Sequence, residues 1–296
     1  METELDSQYV RDLVRAALAE DRAERDITTK ALVPARQSGR ADLIAKEQGV
    51  LAGLAFAAEA FAAVDPMLRW NEEAADGDRI SPGQAVARVE GSLAAILRGE
   101  RVALNFVCHL SGVATAANNV VRLLKGTGCW LRDTRKTTPG LRVAEKYATR
   151  MGGAANHRFD LADGVLIKDN HIAALRERDL GVGDAVRLAR TANPEMRIEC
   201  EVTTLAEARE AAGAGADELL LDNMTPEEVR EVVRALGSKR PTLEASGGIT
   251  AANARAYAEA GVDYISMGAI THSARALDIS LDAVAEVTES GRQRFS

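Results

Sequence analysis

A chain of 296 residues, 46% apolar and 27% charged, is long enough for two domains or for one α/β barrel with an attached domain, and its composition is that of an ordinary globular protein. Its net charge of -7 argues against nucleic acid or an anionic membrane as partner, so any anionic ligand has to be held by a local basic cluster. Cys108, Cys129 and Cys200 form neither a disulfide framework nor a zinc spacing, and a charged N-terminus without an apolar signal core or a spanning run makes the cytoplasm the expected location.

In chain order, residues 8 to 20 carry Val10, Leu13, Val14, Ala17 and Leu18 at helical period. Residues 39 to 54 and 77 to 91 read as short strands broken by glycine, with an alanine-rich helix between them over 52 to 64. Asp76-Gly77-Asp78 and Ser81-Pro82-Gly83-Gln84 are turn signals. The first hundred residues thus predict a mixed α and β domain. Residues 93 to 124 predict a long helix with Ser111-Gly112 as a candidate break. On it, Arg101, Asn105 and His109 recur at spacing four, a polar stripe that is either a subunit contact or a solvated face. Trp70 and Trp130 read as core.

From Cys129 onward the rhythm changes. CWLRDT, GVLIKDN, MRIECEV, ELLLDNM, TLEASGG and YISMGAI are short apolar runs, with amphipathic segments between several of them. This alternation predicts parallel βαβ units, either a TIM-like barrel, complete or not, or an open doubly wound sheet. In a barrel the chemistry sits at the C-terminal ends of the strands. Those ends carry Asp133, Arg135 and Lys136, then Lys168, Asp169 and His171, then Glu201, Asp222, Ser246 and Gly268.

Strand alternation over 196 to 202 sends Ile198, Cys200 and Val202 one way and Arg197, Glu199 and Glu201 into the lumen. Glu201 and Asp222, at successive strand ends, can hold a hard cation such as magnesium or the hydroxyls of a sugar; the alternative is a structural ion pair for each. Arg142, Lys146 and Arg150, spaced by four, read as a solvated helix face at Arg142 and Arg150. Arg135, Lys136, Arg158 and Lys168 differ, because each follows a strand or a glycine-rich approach, and guanidinium groups grip carboxylates and phosphates. Ser246-Gly247-Gly248 and Met267-Gly268-Ala269 are glycine loops at the last two strand ends, where such barrels bind phosphate. His157, His171 and His272 are each either structural hydrogen-bonders or ligands.

In order, ERVALNFVCHLSGVAT, DTRKTTPGLRVAEKYA, GGAANHRFDLADGVLIKDNHI, ECEVTT, LLLDNM, LEASGGIT and ISMGAITHS form a series that resembles the quinolinate phosphoribosyltransferases, the carboxylating nicotinate-nucleotide pyrophosphorylases. The likeness runs from the DITT sequence at Asp26 to Ser280; Arg25 stands where the family often has glycine. It implies a type II phosphoribosyltransferase with an N-terminal α/β sandwich over 1–112, onto which 275–296 packs back, and an incomplete TIM-like α/β barrel over 113–274. It implies quinolinate and phosphoribosyl diphosphate as substrates, Mg2+ as cofactor, and a homodimer in which Arg101 reaches the partner's quinolinate. Arg135, Lys136, His157, Arg158 and Lys168 match the cationic pocket, with Thr137 and His272 beside it. Glu201 and Asp222 match an acidic pair near ribose and magnesium, the ion held directly or indirectly. Ser246, Gly247 and Gly248, with Met267, Gly268 and Ala269, match the phosphate loops. The catalytic candidates are Glu201, Asp222 and Lys136. The rival readings are a paralogue acting on another planar acid, a non-catalytic barrel binding phosphorylated metabolites, and a phosphate-binding isomerase or lyase.

Overall fold

The computed structural model describes residues 5–285. Residues 286–296, part of the C-terminal segment expected to pack back, lie outside the described residues. The chain forms two compact units. One comprises the chain up to Ala116, Val143–Gly152 and the segment from Ala274; the other comprises Ala117–Arg142 and Gly153–Ser273. The segment 143–152, placed with the barrel by sequence position, therefore groups with the first unit.

The first unit begins with α1 (Ser7–Glu20), capped by the Asp6 side chain on Gln8 N, and α2 (Ile27–Leu32), where the aspartate of DITT caps Thr28 N and Thr29 N. There follow β1 (Ser38–Ala45), β2 (Gly49–Val50), α3 (Leu54–Val64), β3 (Arg69–Glu72), β4 (Arg79–Ile80), β5 (Ala85–Ser92) and α4 (Leu93–Leu123). At the other end of the described chain, β12 (Ile279–Ala285) returns to pair antiparallel with β1. The sheet order is β12-β1-β5-β3, antiparallel throughout. Its core holds Val10 and Val14 of α1, Phe56 and Phe61 of α3, Leu43 and Val89 of the sheet, and Ala144 and Ala148 of α5 (Arg142–Met151). Phe56 stacks on Phe106 with ring centroids 4.9 Å apart.

α4 is unbroken across Ser111-Gly112. Ser111 is fully buried, and its Oγ accepts from Ala52 N at 2.9 Å and donates to Ala52 O at 3.2 Å. At Gly112 a Cβ would collide with the Arg275 carbonyl and lie 2.9 Å from Ala276 Cα. The pair that reads as a helix break is a close-packing site.

The second unit alternates strands and helices: β6 (Trp130–Arg132), β7 (Val165–Ile167), α6 (Asp169–Arg176), α7 (Val182–Ala192), β8 (Ile198–Val202), α8 (Leu205–Gly213), β9 (Glu218–Asp222), α9 (Pro226–Leu236), β10 (Thr242–Ser246), α10 (Ala254–Ala260), β11 (Tyr264–Ser266) and α11 (Ala269–His272). α9 shows why its sequence is helical: Thr225 and Glu228 form a reciprocal capping box and Pro226 takes the first turn. The strands form one parallel sheet in the order β6-β11-β10-β9-β8-β7. This is a TIM-like sheet that does not close, for among the described residues β6 meets the segment before β7 only at one bridge, Arg132 to Ala155. Trp130, expected in the core, is 61% exposed at the first residue of this terminal strand. Among the described residues no helix is long and apolar enough to cross a membrane.

Candidate active site

Strand register decides which side chains share the inner face of the sheet. Leu166 pairs with Glu199, Glu199 with Glu218, Glu218 with Thr242, Glu244 with Tyr264, and Tyr264 with Trp130. Two residues further up each strand the same face carries Lys168, Glu201, Leu220, Glu244, Ser266 and Arg132 in turn, with Asp222 and Ser246 above them. The opposite face carries Cys200, Leu219, Leu221, Leu243, Ala245, Ile265 and Leu131, all at most 1% exposed. The inward direction expected for Glu199 and Glu201 is thus the observed one.

Above this face, the segments after β6 and before β7 bring two guanidinium groups together. Burial, and then the neighbouring charge of Arg135, pull the Arg158 pKa below the ordinary guanidinium value. The Nε atoms of Arg135 and Arg158 are both buried without a hydrogen-bond partner among the described residues. Arg158 Nη1 donates to Gly164 O at 2.9 Å. Arg142, which reads as a solvated cation, is half-buried and ties this segment down: it donates to Thr137 Oγ1 (3.2 Å), Phe159 O (3.2 Å) and Arg135 O (3.4 Å). Lys146 on the same helix is fully buried, and Arg150 is half-buried, so that stripe is no solvated face.

His157 is held on every side. Its amide donates to Asp133 Oδ1 at 2.8 Å, and Asp133, fully buried, also accepts from Asn156 Nδ2 at 2.6 Å. The Arg158 amide donates to His157 Nδ1 at 2.8 Å, while Nε2 lies 2.9 Å from Glu199 Oε2 and 3.8 Å from Glu244 Oε1. Below it Arg132 is buried, pairs with Glu218 and with Glu244 (2.7 Å), and stacks on Tyr264 with its Cζ 3.3 Å from the ring centroid. Arg197 also pairs with Glu218. Burial pushes Glu199 up to about 7 and Glu244 up to about 7, and raises Glu218 despite its two arginines. The negative charge of Glu199 also raises the pKa of Glu218 and of Glu244.

His157, Glu199 and Glu244 place three ligand atoms within 4.8 Å, a spacing a metal ion could use. The ring argues otherwise. Nδ1 already accepts a hydrogen bond from the Arg158 amide, so a neutral ring carries its own proton on Nε2, the atom a metal would need.

The two acids at the sheet top behave as a pair. Burial raises the Glu201 pKa, and so does Asp222, while Lys168 lowers it. Asn223 Nδ2 donates to Asp222 Oδ2 at 2.6 Å, and its own amide donates to Ser246 O at 2.9 Å. Asn223 is in the left-handed region (φ 55°), which asparagine tolerates. Gly247 (φ 86°) is doubly constrained, since a Cβ there would also collide with the Asn223 side chain. Lys168 caps α6, and its amide donates to His171 Nδ1 at 2.9 Å, which makes His171 a structural hydrogen-bonder. Lys136 and His272 flank Gly268: a Cβ on that glycine would lie 3.1 Å from Lys136 Cδ and 3.1 Å from His272 Nε2. Met267 is buried and Ala269 is exposed at the start of α11. Thr271 Oγ1 donates to Lys136 O at 2.8 Å.

Arg101 belongs to the first unit, on an exposed part of α4, 3.9 Å from Glu100. His109, on the same stripe, is 2.9 Å from the fully buried Glu145, a contact within that unit. Sequence reading left out Asn223 and Glu244, and Arg142 as a brace. Asn223 had a signal, an asparagine directly after a strand-end aspartate. Glu244 had one too, an acid at an inward position of an apolar strand.

Two family models cover the chain: the quinolinate phosphoribosyl transferase N-terminal domain over residues 26–111 and its C-terminal domain over residues 113–282. The chain belongs to the quinolinate phosphoribosyl transferase family. A Bacillus subtilis relative in this family, a probable nicotinate-nucleotide pyrophosphorylase [carboxylating], is 42% identical over 92% of this chain and 93% of its own. A human nicotinate-nucleotide pyrophosphorylase [carboxylating] is 43% identical over 86% of each chain. The crystal structure of NadC from Streptococcus pyogenes superposes with a TM-score of 0.91 at 39% identity, covering 97% of this chain and all of that one.

Proposed function

We propose that this chain transfers the phosphoribosyl group of phosphoribosyl diphosphate to quinolinate, with loss of carbon dioxide, giving nicotinate mononucleotide and diphosphate. The observation that carries the reading is the neighbouring pair Arg135 and Arg158, whose buried Nε donors have no acceptor among the described residues. Both side chains are half-buried, and two like charges side by side favour an anion with two negative groups. Quinolinate carries two carboxylates on one planar ring. Lys136, Thr137, Lys168, His157 and His272 are assigned to the same mouth, and the loops Ser246 to Gly248 and Met267 to Ala269 to phosphate. The carboxylating pyrophosphorylase relatives support the assignment.

The chemistry asks for positioning and charge more than for proton transfer. The bond from ribose C1 to the diphosphate oxygen breaks, and diphosphate leaves with the electron pair. The positive charge developing on the sugar faces Glu201 and Asp222, which stabilise it electrostatically. The pyridine nitrogen supplies its lone pair to C1 and becomes cationic. The bond to the 2-carboxylate then breaks, its electrons drawn toward the ring nitrogen, and a proton takes the place of carbon dioxide. Glu201 and Asp222 also fit Mg2+, being two hard oxygen donors on adjacent strands whose mutual repulsion a cation relieves. When bound, the ion neutralises charge on the departing diphosphate.

The active unit on this reading is a cytoplasmic homodimer, with Arg101 of one subunit serving its partner's quinolinate. Protein incubated with quinolinate, phosphoribosyl diphosphate and Mg2+ is expected to form nicotinate mononucleotide and carbon dioxide, and nicotinate in place of quinolinate to give no product. Turnover of nicotinate with none of quinolinate would assign the chain to a different planar acid.

A further inference from the structure

The inner face holds a buried carboxylate that the proposed chemistry does not use. Glu199 is 4% exposed, and pairing with Leu166 on one side and Glu218 on the other sets its place in β8. Its Oε2 is 2.9 Å from His157 Nε2. The other ring nitrogen, Nδ1, accepts a hydrogen bond from the Arg158 amide at 2.8 Å. An imidazole that accepts at Nδ1 and is neutral has its proton at Nε2, which donates to Glu199. A line of contacts thus runs from a rigid strand through the ring to the backbone of Arg158, whose guanidinium carries a buried Nε with no partner.

We propose that Glu199 is a positioning residue for the dicarboxylate substrate: it holds His157 in the Nε2–H tautomer, whose Nδ1 then fixes the Arg158 backbone and so aims its guanidinium. The inference rests on the reading of Arg135 and Arg158 as the quinolinate site. Without Glu199 the ring is free to carry its proton on Nδ1. It would then meet the Arg158 amide donor to donor, and the backbone at that point would have to move. A misplacement of about 1 Å in a positioning group costs on the order of a hundredfold.

Two variants and one spectrum test this. Glu199→Leu removes the acceptor, whereas the amide oxygen of Glu199→Gln can still take the Nε2 proton. In wild-type protein the 15N spectrum of the histidine rings, with His157 assigned by its loss in His157→Asn, is expected to show a single Nε2–H tautomer. Glu199→Leu is expected to mix the tautomers and to raise the KM for quinolinate by about tenfold or more, with the KM for phosphoribosyl diphosphate within about twofold. Glu199→Gln is expected to restore both the tautomer and, within about threefold, the quinolinate KM. A wild-type Nδ1–H ring overturns the proposal even if Glu199→Leu does not fold. So does a loss in Glu199→Leu shared equally by both substrates, or a Glu199→Gln variant as impaired for quinolinate as Glu199→Leu. If the wild-type protein forms no nicotinate mononucleotide, the functional reading fails, and the ring spectrum still decides the Glu199 contact.

Discussion

Arg135 and Arg158 put positive charge where no protein acceptor meets their Nε atoms, and the energetics of the site start from that deficit. Arg158→Ala is expected to weaken quinolinate binding by about 2–5 kcal/mol, as for one partner of a desolvated charge pair, and Lys136→Ala to weaken it in the same direction. Calorimetry on the folded variants checks this; unchanged affinity in both would remove them from the site. Asp222→Asn is expected to lower kcat and kcat/KM together, because stabilising a developing sugar cation is an interaction made in the transition state. A normal kcat with a raised KM would make Asp222 a binding group only. These residues were legible in the sequence because each stands at the end of an apolar strand or beside a glycine-rich turn. Arg142 was not, since spacing by four marks a helix face without saying what lies against it. Glu244 carried a signal as an acid inside an apolar strand, but its partner Arg132, 112 residues away in the chain, did not follow from it.

β10 delivers Glu244 to the centre of the second unit, fully buried, facing Arg132, Glu199 and His157. Burial raises its pKa from the unfolded value of 4.5 to about 7, so the folded state binds a proton more tightly than the unfolded chain. Stability from this group is therefore present at low pH and falls as pH rises from 4.5 through about 7. Urea unfolding between pH 5 and 8 should show wild type losing stability relative to Glu244→Gln, which has no proton to lose. A constant difference between the two across that range would mean Glu244 stays charged. α4 makes a second prediction at this scale. Gly112→Ala forces a methyl onto the Arg275 carbonyl and is expected to cost about 1–3 kcal/mol, read from the shift in denaturation midpoint. The helix was legible from its periodicity. Its continuity was not, because glycine and serine signal a break locally and a close approach only once the distant segment is known.

At the scale of the molecule, the proposal that Arg101 serves a partner subunit's site is open to a complementation test. Arg101→Ala and Lys168→Ala proteins, each inactive alone, are mixed and allowed to exchange subunits. In a mixed two-fold dimer one site receives both lesions and the other none, so activity should recover toward about half of wild type per mixed dimer. Verified exchange with no recovery would place Arg101 in its own chain's site or in neither. The architecture of each unit was legible in different degrees. The alternation of strands and helices after Cys129 announced a parallel sheet, whereas the return of β12 to β1 depends on pairing across the length of the chain, which no local pattern encodes.

The two tryptophans fall one to each unit. Trp70 stacks on Phe61 with ring centroids 5.6 Å apart, and Trp130 stands 61% exposed on the end strand of the open sheet. Intrinsic fluorescence can therefore be assigned by unit. With Trp130→Phe, emission reports the antiparallel layer alone; with Trp70→Phe, it reports the parallel sheet alone. Superimposable denaturation curves from the two variants would mean that the chain melts as one cooperative body, and separated midpoints that each half keeps its own stability. The protein already carries the optical labels for that measurement.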